Sequence, residues 1–101
     1  MNNLLKETQE SLRIHGKNFK DIRFITNKEN EIPLEVFKRI ANRNYNDGFG
    51  WQNVNSYLKI VGDDWWLERH EYDGSEWWEF KTLPVKPDTQ TFDANAIWDE
   101  L

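Results

Sequence analysis

The tryptophan-rich stretch 65–80 constrains the fold of this chain more than any other part of the sequence. It holds four of the six tryptophans, as one adjacent pair on each side of Asp73-Gly74. Asp-Gly between two β-prone runs favours a two-residue type I′ turn, because both turn residues need a positive φ angle. The stretch therefore predicts a β-hairpin that carries one tryptophan pair on each strand.

A two-residue loop also fixes which residues face one another across the hairpin. It places Leu67 opposite Phe80, with Trp65 and Trp78 on the same side, and this apolar side is the predicted core. A three-residue loop would mix apolar and charged positions, so the two-residue loop is favoured. The other side is aromatic but crossed by charges, and we expect it to be at most half covered: Trp66, Glu68, His70, Tyr72, Trp77, Glu79 and Lys81.

A third strand is predicted upstream at residues 57–61, before a second turn signal at Gly62-Asp63-Asp64. If the last two of these form the loop, Ile60 lies opposite Leu67 on the core side. This register agrees with that of the hairpin. The sequence thus predicts a meander of three antiparallel strands over residues 57–82.

Helices and one further strand are predicted around the meander, which gives an α+β fold. This fold is a three- to four-stranded antiparallel meander sheet with two main helices and a short C-terminal helix. Apolar spacing predicts that Leu4, Leu5, Thr8 and Leu12 are buried on the first helix and Val36, Phe37, Ile40 and Ala41 on the second. Glu7, Glu10 and Arg13 are expected to face solvent. The predicted elements are a helix over 3–15, a strand over 22–26 and a helix over 33–43. A short helix over 94–101 is also predicted, with Asp93 as its N-cap residue and Trp98 packing against the rest of the protein.

The composition is that of one small domain spanning residues 1–101. No cysteine is present, which excludes disulfides and thiolate metal sites. No apolar run approaches the roughly 18 residues of a transmembrane helix. A soluble, cytoplasmic protein without membrane contact is therefore expected.

The net charge of −5 is unevenly distributed along the chain. Residues 1–44 carry nine cationic and six acidic side chains, whereas residues 45–101 carry four cationic and twelve acidic ones. An acidic sheet repels the phosphates of nucleic acids, so nucleic acid is an unlikely partner. The acidic half favours a basic protein partner or serves only to keep the protein soluble.

The loop over residues 44–55 is rich in glycine, asparagine and aromatic residues, and its length is typical of functional loops. Its candidate residues are Tyr45, Phe49 and Trp51. They either fold back to close the edge of the core, which is favoured, or bind a ligand. The two glycines of the loop do not form a phosphate-binding motif, because no strand precedes them and no GKS/T follows.

Glu68, His70 and Glu79 share the charged side of the hairpin and are the candidates for chemistry. They are placed to form a weak metal site or an acid/base set. A cross-strand cluster of His70 with aromatic residues is favoured, because metal sites usually need more nitrogen ligands. No GxSxG, HExxH or P-loop motif occurs. A protein that is not an enzyme, with no cofactor and no metal, is therefore predicted.

An interaction face is predicted on this side of the sheet, with Tyr57 expected opposite His70. It comprises Tyr57, Trp66, Glu68, His70, Tyr72, Trp77 and Glu79. Half-buried tryptophan and tyrosine frequently anchor protein interfaces. The same rings are also platforms on which sugars stack, which makes a carbohydrate-binding module the alternative. If helices cover both sides of the sheet, all of these rings are structural.

The run VGDDWWLERHEYDGSEWWEF, residues 61–80, resembles small uncharacterised proteins from phages and prophages of Gram-positive bacteria. The resemblance covers about a fifth of the chain. It implies a short, soluble accessory protein, since small acidic phage proteins often bind host proteins, sometimes as nucleic-acid mimics. The resulting prediction is an acidic protein-binding accessory module, with a host protein as partner.

Overall fold

The chain folds into an α+β structure, described by a computed structural model over residues 2–46 and 51–99. Two α-helices and six strands follow one another along the chain. Their bounds are β1 Asn2–Asn3, α1 Leu4–Ile14, β2 Phe24–Thr26, α2 Leu34–Ala41, β3 Asn44–Tyr45, β4 Lys59–Val61, β5 Trp65–Tyr72 and β6 Ser75–Thr82. Two short 3-10 helices, Phe19–Asp21 and Ala94–Ala96, complete the described elements.

The β5–β6 hairpin has the predicted turn and the predicted register. Asp73 and Gly74 both have positive φ angles, 52° and 85°, as a type I′ turn requires. Leu67 pairs with Phe80, and His70 pairs with Trp77. All eight cross-strand pairs that the two-residue loop implies are formed.

The main sheet has four antiparallel strands in the order β2-β4-β5-β6. The meander and the fourth strand are both confirmed, and Ile25, Ile60 and Leu67 align across three neighbouring strands on the core side. β4 begins at Lys59, so the predicted pairing of Tyr57 with His70 is wrong. A separate two-stranded sheet joins β1 to β3.

Both helices pack on the same side of the main sheet. Leu12 of α1 and Phe37 and Ala41 of α2 join the buried cluster of the sheet. The sheet contributes Ile25, Ile60, Trp65, Leu67 and Trp78 to this cluster, and Leu58 joins it from the loop before β4. The core is thus one layer of helices on one face of an antiparallel sheet, and the sheet's other face carries neither α-helix.

α1 starts and ends where the sequence predicts. The side chain of Asn3 accepts a hydrogen bond from the Lys6 backbone N–H at 3.1 Å, which satisfies a free donor of the first turn. Gly16 follows the helix with a φ angle of 71°, a common way for a helix to end. The prediction that Glu7 faces solvent is wrong, because its carboxylate pairs with the buried Arg69.

α2 is shorter than predicted, and its buried stripe is narrower. It ends at Ala41, and Pro33 is its N-cap residue. Phe37 and Ala41 are buried as predicted, but Ile40 is 62% exposed and Val36 is only partly buried. The helix meets the sheet along one edge only, so Val36 and Ile40 open onto a groove.

The predicted C-terminal helix over 94–101 is wrong. Asp93 does act as a cap, accepting a hydrogen bond from the Asn95 backbone N–H at 2.9 Å, but only the 3-10 turn Ala94–Ala96 forms. Trp98 is 64% exposed and does not dock. A helix this short is marginal in water unless its apolar face is packed, and residues 83–99 are all exposed.

Gly62 is required by the close approach of the Trp65 ring. A Cβ atom at this position would lie 2.0 Å from Cε2 of that ring, far inside contact distance. The Gly62 backbone N–H also donates to the Trp65 carbonyl at 2.8 Å. The Trp65 ring therefore packs directly against the backbone of Gly62 in the turn between β4 and β5.

Among residues 2–46 and 51–99, the helices are all too short or too polar to cross a membrane.

Candidate interaction face

The side of the main sheet opposite the helices is called here the outer face. Side chains alternate between the two sides of each strand, and Ile25, Ile60, Leu67 and Trp78 fix which side is the core. The outer face therefore carries Phe24, Thr26, Lys59, Val61, Trp66, Glu68, His70, Tyr72, Trp77, Glu79 and Lys81.

The tryptophans of the hairpin divide into two populations, as the register predicts. Trp65 and Trp78 are buried, and Trp78 is only 7% exposed. Trp66 is half-buried, and Trp77 is 38% exposed. Adjacent residues of one strand thus have opposite environments, because one side of the sheet is covered by helices and the other is not.

Each outer tryptophan is held by the carboxylate two residues further along its own strand. The Trp66 Nε1–H donates to Glu68 Oε1 at 2.6 Å, and the Trp77 Nε1–H donates to Glu79 Oε2 at 3.1 Å. These bonds satisfy the polar edge of each indole and fix its orientation. The ring surfaces remain available for apolar contact.

His70 lies between the two carboxylates and brings the three predicted residues together. Its Nε2 is 2.8 Å from Glu68 Oε2, and its Nδ1 is 3.4 Å from Glu79 Oε2. A neutral imidazole donates through one nitrogen, whereas the imidazolium donates through both. Lys81 Nζ, 3.2 Å from Glu79 Oε1, further offsets the repulsion between the paired glutamates.

Hydrogen bonding keeps both outer carboxylates ionised. The indole N–H of Trp66, with a smaller contribution from His70, lowers the pKa of Glu68 below its usual range. The indole N–H of Trp77 and the neighbouring Lys81 likewise lower the pKa of Glu79. The outer face therefore presents oriented rings next to two carboxylates, whose charge is balanced by Lys59 and Lys81 of the same face.

The described part of the chain contains no group of three or more His, Cys, Asp or Glu side chains that could hold a metal ion. His70 is hydrogen-bonded to Glu68, and Glu79 lies 3.4 Å from the other nitrogen of its ring. None of them lines the apolar groove beside α2 or the polar pocket beside α1.

Comparison with known proteins gave no match to a protein-family model, a curated protein or a solved structure. The resemblance of residues 61–80 to phage and prophage proteins therefore stays a prediction. The function has to be argued from the residues of the chain.

The remaining candidate residues occupy three different environments. Tyr57 is exposed in the loop before β4, and Lys28 Nζ lies 4.5 Å from its ring centroid. Tyr45 is buried in β3, whereas Trp51 is 72% exposed. Phe49 lies outside the described residues.

A buried ionic cluster, not predicted from the sequence, joins α1 to the core side of the hairpin. Arg69 Nη1 lies 2.9 Å from Glu7 Oε2, and Arg69 Nη2 lies 2.9 Å from Glu76 Oε1. The side chains of Arg69 and Glu76 are fully buried. Glu76 also accepts the backbone N–H groups of Asn53 and Val54 at 2.6 and 3.1 Å. The available signal was that Arg69 and Glu76 are diagonal neighbours on the core side of the hairpin.

Tyr45 completes this cluster and makes the stability of the protein sensitive to alkaline pH. Burial, together with the hydrogen bond that its hydroxyl donates to Glu7, raises its pKa to about 12. Its contribution to stability is full below the unfolded pKa of about 10 and is lost as the pH rises through about 12.

We expect the tyrosinate absorbance of wild type minus that of Tyr45→Phe to rise with a midpoint near pH 12, as the Tyr45 hydroxyl loses its proton. A difference curve with its midpoint near 10 would contradict the assignment.

Proposed function

We propose that this chain is a small non-enzymatic protein-binding module, an accessory protein of phage or prophage origin, whose partner binds the outer face. The observation that supports the proposal is that Trp66 and Trp77 lie on the sheet face opposite both helices. Their indole N–H groups are already satisfied by Glu68 and Glu79. The exposed ring area is thus preorganised, which lowers the entropic cost of binding.

The chemistry of the outer face favours a partner with both apolar and basic groups. Covering a tryptophan ring removes a large apolar area from water, and tryptophan is enriched among residues that dominate binding energy. Glu68 and Glu79 are already paired within the face, so the preference for a basic partner rests on the surrounding acidic residues. The excess of acidic residues over 45–101 also attracts a basic partner at long range.

Substitution of the outer tryptophans tests the proposal. We expect Trp66→Ala and Trp77→Ala each to weaken partner binding about tenfold or more, because each removes an anchoring ring. The immobilised protein is used to capture partners from a host lysate, and the affinity of each captured protein is then measured in purified form. Trp51→Ala is the matched control, since Trp51 is exposed but lies off the sheet.

The proposed face is wrong if neither outer substitution changes the affinity of any captured protein. Circular dichroism of each variant separates lost binding from lost folding. A binding loss shared equally by Trp51→Ala would point to the loop instead.

A carbohydrate-binding module is the second candidate, favoured by the three rings that Trp66, Tyr72 and Trp77 present on one face. Sugar rings stack on such surfaces, and the nearby Glu68 and Glu79 can accept hydrogen bonds from hydroxyl groups. A glycan array followed by tryptophan fluorescence discriminates the two functions. Absence of binding and of quenching across the array removes this candidate.

A further inference from the structure

An apolar groove opens beside α2, on the helix side of the protein and away from the outer face. It has a volume of about 390 Å³, enough for one or two large apolar side chains. Leu4, Val36, Ile40 and Leu58 contribute to its apolar lining, and Arg43 stands at its rim. Ile40, which sequence periodicity assigns to the core, is instead 62% exposed here.

A second set of unburied apolar side chains lies in residues 83–99, called here the acidic segment. Phe92, Ile97 and Trp98 are all exposed. The segment contains three aspartates and one lysine. The radius of gyration is 17.0 Å, compared with about 13 Å for a compact chain of this length.

These two features are complementary in chemistry. The groove is apolar with arginine at its rim, and Arg39 adds a second cation on the exposed side of α2. The acidic segment places Ile97 and Trp98 next to Asp99. We propose that Ile97 and Trp98 of one copy of the chain dock into the α2 groove of a second copy, with Asp99 against Arg43.

A second copy is the favoured occupant because residues 2–46 and 51–99 of the same chain cover neither surface. Ile97 and Trp98 are exposed, and neither lines the groove. If two copies exchange acidic segments, a single twofold rotation places each segment in the groove of the other copy. Both grooves are then filled, and the assembly stops at a dimer. Docking also supplies the packed surface without which the short 3-10 turn Ala94–Ala96 does not extend into a helix.

Sedimentation equilibrium of the full chain over a range of concentrations tests this inference. We expect wild type to form a concentration-dependent dimer. Trp98→Ala, Ile40→Glu and Arg43→Glu each remove one part of both contacts of the symmetric dimer. At about 30-fold for each buried tryptophan anchor, Trp98→Ala should raise the dimer dissociation constant about 900-fold, because two anchors are lost and their effects multiply. Ile40 and Arg43 are exposed, so these two variants are expected to fold.

Two matched controls isolate the contact. Ile14→Glu introduces the same charge on α1 at a residue that is 61% exposed and not part of the groove. Val85→Ala truncates an exposed apolar side chain within the acidic segment but away from Trp98. Both controls should dimerise like wild type.

Mixing two monomeric variants distinguishes exchange between copies from any other contact. Ile40→Glu keeps an intact acidic segment, and Trp98→Ala keeps an intact groove. A mixed pair therefore retains one of the two contacts, and the mixture should associate more tightly than either variant alone but less tightly than wild type. The inference is overturned if wild type is monomeric at every concentration, if Trp98→Ala dimerises like wild type, or if the mixture associates no more tightly than the two variants measured separately. A monomer in which Ile40→Glu increases the solvent exposure of Trp98 indicates docking within one chain, which also overturns it.

Discussion

Arg69→Met should lower the free energy of unfolding by about 3–5 kcal/mol, the usual cost of removing one partner of a buried ion pair. The substitution removes the guanidinium that neutralises Glu7 and Glu76. Glu76 is then left as a buried charge supported only by two backbone N–H groups. Chemical denaturation followed by circular dichroism measures the loss.

The control is Arg13→Met, which removes the same side chain from an exposed pair with Glu10. A pair this exposed on a helix surface is screened by water and contributes little, so this variant should be close to wild type in stability. Adding Glu76→Gln to Arg69→Met should recover part of the loss, because it removes the unpaired charge. Equal effects of Arg69→Met and Arg13→Met would show that the cluster does not stabilise the fold.

The local chemistry of the sequence determined the sheet to a large extent. Asp73-Gly74 fixes a two-residue turn, and the period-2 alternation then specifies every pair of β5 with β6. The same two rules distinguish Trp66 and Trp77 from Trp65 and Trp78. Most of the outer face, including the meeting of Glu68 with His70, was therefore accessible from sequence.

The features that the sequence did not predict depend on contacts between distant segments. Glu7 reads as a solvent-facing residue of an amphipathic helix until Arg69 is placed beneath it by the sheet. Periodicity identifies Ile40 and Trp98 as apolar positions on helical stripes. Periodicity does not show whether the rest of the chain covers these residues. In this structure both side chains are exposed.

The two proposed surfaces lie on opposite sides of the sheet and can be tested separately. The outer face depends on Trp66 and Trp77, whereas exchange between copies depends on Trp98 and the α2 groove. A variant of Trp98 that loses dimerisation should still bind a partner through the outer face. Failure of the dimerisation test would therefore leave the proposed partner binding untouched, and the reverse also holds.

Trp78→Ala should lower the free energy of unfolding by about 3–5 kcal/mol, the range for removing a large buried aromatic side chain. Trp78 donates its Nε1–H to Thr8 Oγ1 at 3.0 Å, and the Arg69 guanidinium lies 4.7 Å from its ring centroid. The ring thus joins α1 to the sheet. Because domains of this size are stable by only about 5–15 kcal/mol, the variant should unfold at much lower denaturant concentration.

Trp77→Ala provides the matched control, since it changes the same residue type one position away on the opposite side of the sheet. Its ring is 38% exposed and its N–H bond to Glu79 is also exposed, so we expect a cost of about 1 kcal/mol or less. Binding should show the reverse order, because Trp77→Ala weakens partner affinity while the protein stays folded. If the two variants lost equal stability, the separation into a core side and an outer face would be wrong, and the outer face would be a structural surface.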